Sequence, residues 1–307
     1  MLRPLLLLLA FTAALAPGRA RACSVCGCGD PLVAASEARP ISGWLRLALD
    51  FEYLTAEARS DEQPALTESL TQLTIRPVVI VSPTDSLNLV LQVPFVYKDW
   101  SLGGAGGSVA SAKPFGLGDI DFGVRWFLLD RTDLRRQRRW NLALSAGSSF
   151  PTGADDERVH GVRIDDHAQL GTGAFGPYGG ALYAWHQDPW NLFVTASYRT
   201  HTTNSYGYRF GEAVLFSVRG ELRPWERLAF GLGLDGRWAA RDTLSGERQE
   251  NTGGLLLALT PGVIVNLVDP GLWLQVRVQV PVLSRLYGEQ SVGPVVTASL
   301  QYAFAKF

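Results

Sequence analysis

The sequence predicts an all-β fold, a transmembrane antiparallel up-and-down β-barrel of about twelve strands, with a cleaved leader and a short Cys-rich tail in front of it. Three observations carry this reading. Hydrophobic periodicity after residue 42 is two rather than 3.6. One face of each alternating segment is aliphatic or aromatic, whereas the other collects charges. The links between segments alternate between short and long.

Composition limits the alternatives. With 47% hydrophobic and 19% charged residues in 307, the chain is neither disordered nor collagen-like. Beyond residue 16 no apolar run approaches the roughly 18 residues of a membrane helix. A net charge of -1 supplies no field for nucleic acid, which is excluded as a partner.

Residues 1–22 read as a signal peptide: Arg3 starts it, Leu5 to Ala16 form its apolar run, and Ala20-Arg21-Ala22 is a small-x-small cleavage signal. Cleavage at the other small-x-small site, Ala14-Leu15-Ala16, is blocked by Pro17. Export places the mature chain, beginning at Cys23, outside the reducing cytosol.

Residues 23–42 form a Cys-rich tail without strand alternation. Cys23, Cys26 and Cys28 lie within six residues and can converge on a soft ion, Cu(I) or Zn(II), with water, Asp30 or the new amino terminus as fourth ligand. The odd count in an oxidising compartment also reads as one disulfide and one leftover thiol. Lipid modification of Cys23 is a third reading, against which Ala20 and Arg21 stand. The tail either inserts into the barrel from below as a plug or trails into the periplasm.

Residues 43–307 supply the barrel. In the first segment Leu45, Leu47, Leu49, Phe51 and Tyr53 oppose Arg46, Ala48, Asp50 and Glu52. The pattern recurs over 72–81, 87–97, 119–128, 140–149, 191–199, 214–223, 227–238, 255–267, 272–282 and 296–304, with a Gly-rich sixth segment over about 169–185. Short links (82–86, 130–139, 186–189, 224–226, 268–271) take turns with long ones (56–66, 98–116, 151–168, 202–211, 240–252, 284–291). Periplasmic turns and extracellular loops of outer-membrane barrels differ in this way, and an even strand number puts both chain ends on the periplasmic side.

A soluble sandwich or lipocalin-like barrel also alternates. It wants charges outside, however, and a core twelve strands wide is too large to fill with apolar side chains. Here the apolar face is continuous and suits acyl chains. Trp44, Tyr53, Tyr97, Trp126, Trp140, Tyr183, Trp185, Trp190, Trp225, Trp238 and Tyr302 fall near segment ends, where interfacial girdles lie.

The opposite face gives the candidate lumen-lining residues: Arg46, Arg76, Arg125, Arg199, Arg219, Arg223, Arg237 and Arg277 against Asp50, Glu52, Asp119, Asp121, Glu221 and Asp235. Such groups can line a watery pore and set ion preference, or pair into a network that closes it. Asp155, Asp156, His160, Asp165, Asp166 and His167 read as a solvated extracellular loop, with spacing that matches no recognised cation site. Arg131, Arg135, Arg136, Arg138 and Arg139 make a basic periplasmic turn, solvated or touching lipid phosphates.

The motifs Gly116-Leu117-Gly118-Asp119-Ile120-Asp121-Phe122-Gly123, Phe150-Pro151-Thr152-Gly153, Gly171-Thr172-Gly173 and Pro177-Tyr178 resemble a family of outer-membrane transporters named for the meta-pathway of phenol degradation. The resemblance covers most of the barrel and implies uptake of aromatic or other hydrophobic compounds. The terminal Phe307 resembles the signature read by the barrel-assembly machinery, although Tyr302 and Phe304 lie in the opposite phase.

No catalytic arrangement is predicted: His186 and His201 have no Ser and acid at suitable spacing, and neither G-x-S-x-G nor H-E-x-x-H occurs. The functional expectation is an outer-membrane channel for small solutes. Its alternative is a closed barrel whose loops or Cys-rich tail meet another protein.

Overall fold

Side chains on an extended chain alternate between two faces, so each alternating segment can be greasy outside and polar inside once its backbone is paired on both edges. A computed structural model of the chain describes residues 43–60, 65–104, 107–268 and 271–304; the leader, the tail with Cys23, Cys26 and Cys28, and Phe307 lie outside the described residues.

The strands are β1 (Trp44–Arg59), β2 (Thr67–Thr84), β3 (Leu87–Gln92), β4 (Phe95–Gly104), β5 (Gly107–Ala112), β6 (Phe115–Leu117), β7 (Ile120–Asp133), β8 (Arg138–Phe150), β9 (Arg158–Val159), β10 (Val162–Arg163) and β11 (Gly176–Gln187). They continue with β12 (Trp190–Arg199), β13 (Tyr208–Arg209), β14 (Ala213–Trp225), β15 (Leu228–Ala239), β16 (Thr243–Leu244), β17 (Glu247–Arg248), β18 (Gly254–Val268), β19 (Leu272–Leu286), β20 (Gln290–Val292) and β21 (Val295–Phe304).

β3 and β4 are two halves of one traverse, and β5, β6 and β7 together make the next. The wall is therefore a closed barrel of twelve antiparallel strands. β1 closes it, pairing with β2 from Trp44↔Ser82 to Arg59↔Thr67 and with β21 from Leu45↔Phe304 to Tyr53↔Val296. Where Pro94 interrupts the third traverse the ladder is bridged: Val93 donates to the Pro77 carbonyl (3.1 Å) and Gly118 to that of Pro94 (2.8 Å). The small strands β9, β10, β13, β16 and β17 belong to the long loops.

Burial is inverted relative to a soluble protein. Leu47, Phe51, Leu73, Leu91, Phe122, Val218 and Leu234 are exposed, whereas Asp50, Glu52, Arg76, Arg125, Arg219 and Glu221 are buried. Most of the expected girdle residues are exposed, among them Tyr53, Trp126, Trp140, Trp190, Trp225 and Trp238.

The inner face is not uniformly ionic. Toward the short-turn end Val78, Ile80 and Val90 cluster together, as do Phe127, Ala143 and Leu182. Buried charges recur on β1, β2, β7, β12 and β14. Tyr178 lies across Gly123 and Gly147 on neighbouring strands, close enough that a Cβ at either glycine would collide with its hydroxyl.

The long links also differ from expectation. The sixth segment begins at Gly176, and residues 169–175 are part of an inward loop. Much of the expected 98–116 loop is instead the β4–β5 hairpin, because Ser101, Leu102 and Trp100 find ladder partners in Ser111, Ala110 and Ala112.

The outward face makes a direct prediction. Val218→Arg, in the middle of β14, should destabilise the protein in vesicles by about 2–4 kcal/mol. Ser145→Ala on the inner face, which removes the acceptor of the Arg125 Nε bond (3.2 Å), should cost about 1 kcal/mol. Urea titration of the barrel folded into vesicles checks both values.

Candidate functional site: the barrel interior

The feature that shapes the interior is the connection from β8 to β11. Residues 151–175 turn into the barrel, where Ile164, Ala168, Leu170 and Ala174 are buried. Ile164 and Ala168 pack on Leu54, Ala56, Leu70 and Trp100 of the wall. The tip is the β9–β10 hairpin, turned by His160 (φ 51°) and Gly161 (φ 81°), and it leaves the His160 side chain exposed.

Asp119 fixes both stems of this loop. Its Oδ1 accepts from the Gly153 amide (3.0 Å), and its Oδ2 accepts from the Thr172 amide (2.8 Å) and hydroxyl (2.6 Å). Thr152 Oγ1 donates to the Gly118 carbonyl (3.0 Å) and accepts from the Ile120 amide (2.9 Å). Gly171 donates to Ala154 (2.9 Å), and the backbones of Gly153 and Gly171 approach so closely that a Cβ on either would collide with the other. Three Gly-rich motifs, separate in sequence, thus meet in one knot. Asp119 anchors the loop, a role that its position in an alternating segment did not disclose.

Lys98, reaching in from β4, donates to the carbonyls of His167 (2.7 Å) and Gln169. Gln169 is 1% exposed and binds the loop to itself through the Glu157 amide (2.8 Å) and the Ile164 carbonyl (2.9 Å).

On its other side the loop is latched to its neighbours. His167 Nε2 lies 2.7 Å from Asp242 Oδ2, which also accepts from the Tyr208 hydroxyl (2.7 Å); Asp242 Oδ1 accepts from the Gly211 amide (2.7 Å). Asp166 takes a bidentate pair of bonds from Arg163, both 2.8 Å, and a third from Asn204 (3.0 Å).

Burial opposes the charge on His167, but the bond to Asp242 and the carboxylates of Asp242, Asp165 and Asp166 outweigh it, raising its pKa to about 9. Burial likewise works against the Asp242 carboxylate. His167 and Tyr208 reverse that and hold it below the ordinary range.

The expectation of a solvated surface loop is therefore corrected. Of its six acid and imidazole residues, His167 and Asp166 are consumed in separate pairs within the barrel mouth, and the Asp155 carbonyl holds Arg163 (2.8 Å). Among the described residues no group of three His, Cys, Asp or Glu could hold a metal.

The candidate lining residues fall into two groups. On one side Arg76 faces Glu52 (3.9 Å), Arg199 faces Asp121 (3.4 Å) and stacks on Tyr178 (5.1 Å), Ser299 donates to Asp50, and Arg125 donates to Ser145 (3.2 Å). On the other, Asp235 accepts from Thr260 and Gln279 (2.9 Å), Arg219 passes over Gly231 and Gly233, Arg277 over Gly262, and Arg223 stacks on Trp273 (5.3 Å). Arg46, Glu221 and Arg223 border a cavity of about 420 Å³ near the short-turn mouth. At the other end burial, with Arg199 and Arg237, lowers the pKa of His201 to about 3, so it is neutral. His186 instead bonds Asn191 (2.9 Å).

The inward loop divides the remaining space. Toward the long-loop end a cavity of about 470 Å³ is bounded by Leu70, Trp100, Ile164, Tyr206 and Tyr208; on the other side of the loop a space of about 120 Å³ touches Arg76, Asp119, Asp121 and Arg199.

Among solved structures, the chain is similar to an outer membrane channel from Pseudomonas putida F1, with a TM-score of 0.64 and 15% identity over 91% of this chain and 99% of that one. The likeness is one of fold. Weaker matches include the translocator domain of the autotransporter NalP from Neisseria meningitidis (TM-score 0.47, 11% identity, 89% and 92% covered) and the CymD monoaromatic hydrocarbon channel (0.46, 9%, 92% and 93%). No family model and no curated protein matches the chain.

The latch gives a signed pH dependence. The His167 contribution is complete below pH about 6.5, the unfolded value, and is lost as the pH rises through about 9. Limited proteolysis of residues 151–175 in folded protein should therefore accelerate between those values. In His167→Gln it should be fast already at pH 6.5 and flat above.

Proposed function

We propose that the protein is an outer-membrane channel for small solutes and that the loop of residues 151–175 is its constriction. The observation that carries this reading is a closed barrel, greasy outside and ionic inside, whose space is divided by a loop anchored on Asp119, Lys98 and Asp242. The fold shared with an outer membrane channel is consistent with it.

In this reading the short turns and the amino terminus face the periplasm, the long loops face outward, and Arg46, Arg219, Arg223, Arg237 and Arg277 with Glu221 and Asp235 line the route. The resemblance to transporters named for phenol degradation nominates apolar or aromatic solutes, and the 470 Å³ cavity with Trp100 and Tyr206 suits a single ring compound. No catalytic role is assigned. Residues 23–42 serve as a periplasmic tail or plug, with Cys23, Cys26 and Cys28 a soft-metal site or a disulfide, and Phe307 addresses the assembly machinery.

A second reading, a closed barrel with a structural role, draws on the pairs Arg76–Glu52 and Arg199–Asp121, which brace the wall instead of facing water.

Planar-bilayer recording decides between them. The channel reading expects small discrete steps that grow several-fold in Asp119→Ala, because freeing both stems releases the loop. Silence from folded, heat-modifiable protein and from that variant would establish the closed barrel. Deleting residues 23–42 should also raise conductance if the tail is a plug.

A further inference from the structure

We propose that the β7–β8 hairpin at the short-turn end binds the phosphate of an anionic phospholipid, using Arg131, level with the tryptophan layer, and Arg138, one row beyond it. The inference rests on the reading that the barrel lies in a membrane. Cross-strand register sets the geometry. Leu129 pairs with Leu142, Arg131 with Trp140, and Asp133 with Arg138; on the next strand Tyr183, Trp185 and Gln187 lie opposite Leu142, Trp140 and Arg138. Down this outward face an aliphatic row is followed by one of Arg131 with Trp140 and Trp185, and then by one of Asp133, Arg138 and Gln187. Two residues along a strand span about 7 Å, which is the step from an interfacial aromatic belt to the headgroup phosphates.

The two faces of the hairpin treat their arginines differently. On the other face Arg139 is satisfied by Asp130, through bonds of 2.8 and 2.6 Å. Arg136 stands 4.0 Å from Asp133. Asp133, opposite Arg138 in register, is drawn to the turn, where its Oδ1 accepts from the Arg135 and Arg136 amides (3.0 and 3.2 Å). Among the described residues no carboxylate comes within 4.0 Å of the guanidinium groups of Arg131, Arg135 or Arg138. Five arginines against Asp130 and Asp133 leave an excess of positive charge that a phosphodiester complements.

The hairpin is also open to a lipid. β3 accompanies β7 only as far as Leu87↔Trp126, so the outer edge of β7 beyond that pair, where Arg131 sits, has no neighbouring strand. Leu134 at the turn is 85% exposed and Trp126 54%, which continues the greasy band down to the charged layer. Arginine is suited to this position because its planar fork can bond two phosphate oxygens at once while its stem lies along the indoles.

The test is native mass spectrometry of the full barrel released from nanodiscs of mixed phosphatidylcholine and phosphatidylglycerol. The wild type should retain phosphatidylglycerol preferentially. The double variant Arg131→Gln/Arg138→Gln should lose that preference by about tenfold, whereas Arg139→Gln should keep it; heat-modifiability confirms that each variant is folded. Equal retention in wild type and double variant, or an equal loss in Arg139→Gln, overturns the proposal. A wild-type chain that folds but enters no bilayer overturns the membrane reading on which it rests.

Discussion

Pairing of the first strand with the last is the constraint on which the rest depends. In hydrocarbon an unpaired amide has no water to turn to, and each orphaned group costs several kcal/mol, so a wall of strands is tolerable only without edges. The long register of β1 with both β2 and β21 removes those edges. Once the backbone is satisfied within the wall, outward side chains are free to be aliphatic, and the enclosed side can hold arginines and carboxylates that an ordinary core would reject. The tyrosine laid over Gly123 and Gly147 depends on the same closure, because the glycines occur on adjacent inward positions only if the strands keep their stagger.

Inside this wall the loop of residues 151–175 is held by polar contacts of three kinds: a carboxylate bridging both stems, an ammonium clamping two carbonyls, and a buried imidazolium–carboxylate pair reaching the neighbouring loops. Contacts of this kind are strong where water is scarce and expensive if half made. The loop is therefore better described as a built partition than as a flexible lid. At its hairpin tip His160 and Val162 are exposed and stand clear of these three anchors.

Most of the wall was legible in the sequence. Clean alternation, as in 44–53 or 228–238, places side chains by a rule that needs no tertiary knowledge, and the twelve segments and the outward phase follow from it. Legibility failed where period two was interrupted. The Gly-rich stretch before Gly176 looked like a weak strand because glycine carries no facing information. The small and polar residues of the 98–116 link give a loop-like composition, yet such residues also extend a ladder. The destination of His167, Asp166 and Asp119 was hidden for another reason: a charged loop in contact with its own barrel has the same composition as one in solvent, and only distant partners such as Lys98 and Asp242 distinguish them. The repeated glycines of the motifs carried a trace of that contact, since backbones that touch leave no room for side chains.

The contact between Gly153 and Gly171 brings the two stems together at a single point on the wall. The span between them is thereby a peninsula with a narrow neck, although Lys98, Asn204 and Asp242 also moor its interior. Because both ends leave the wall at one place, a change in its length does not by itself shift strand register, and an exchanged insert would have to replace only those moorings while the scaffold stays unaltered.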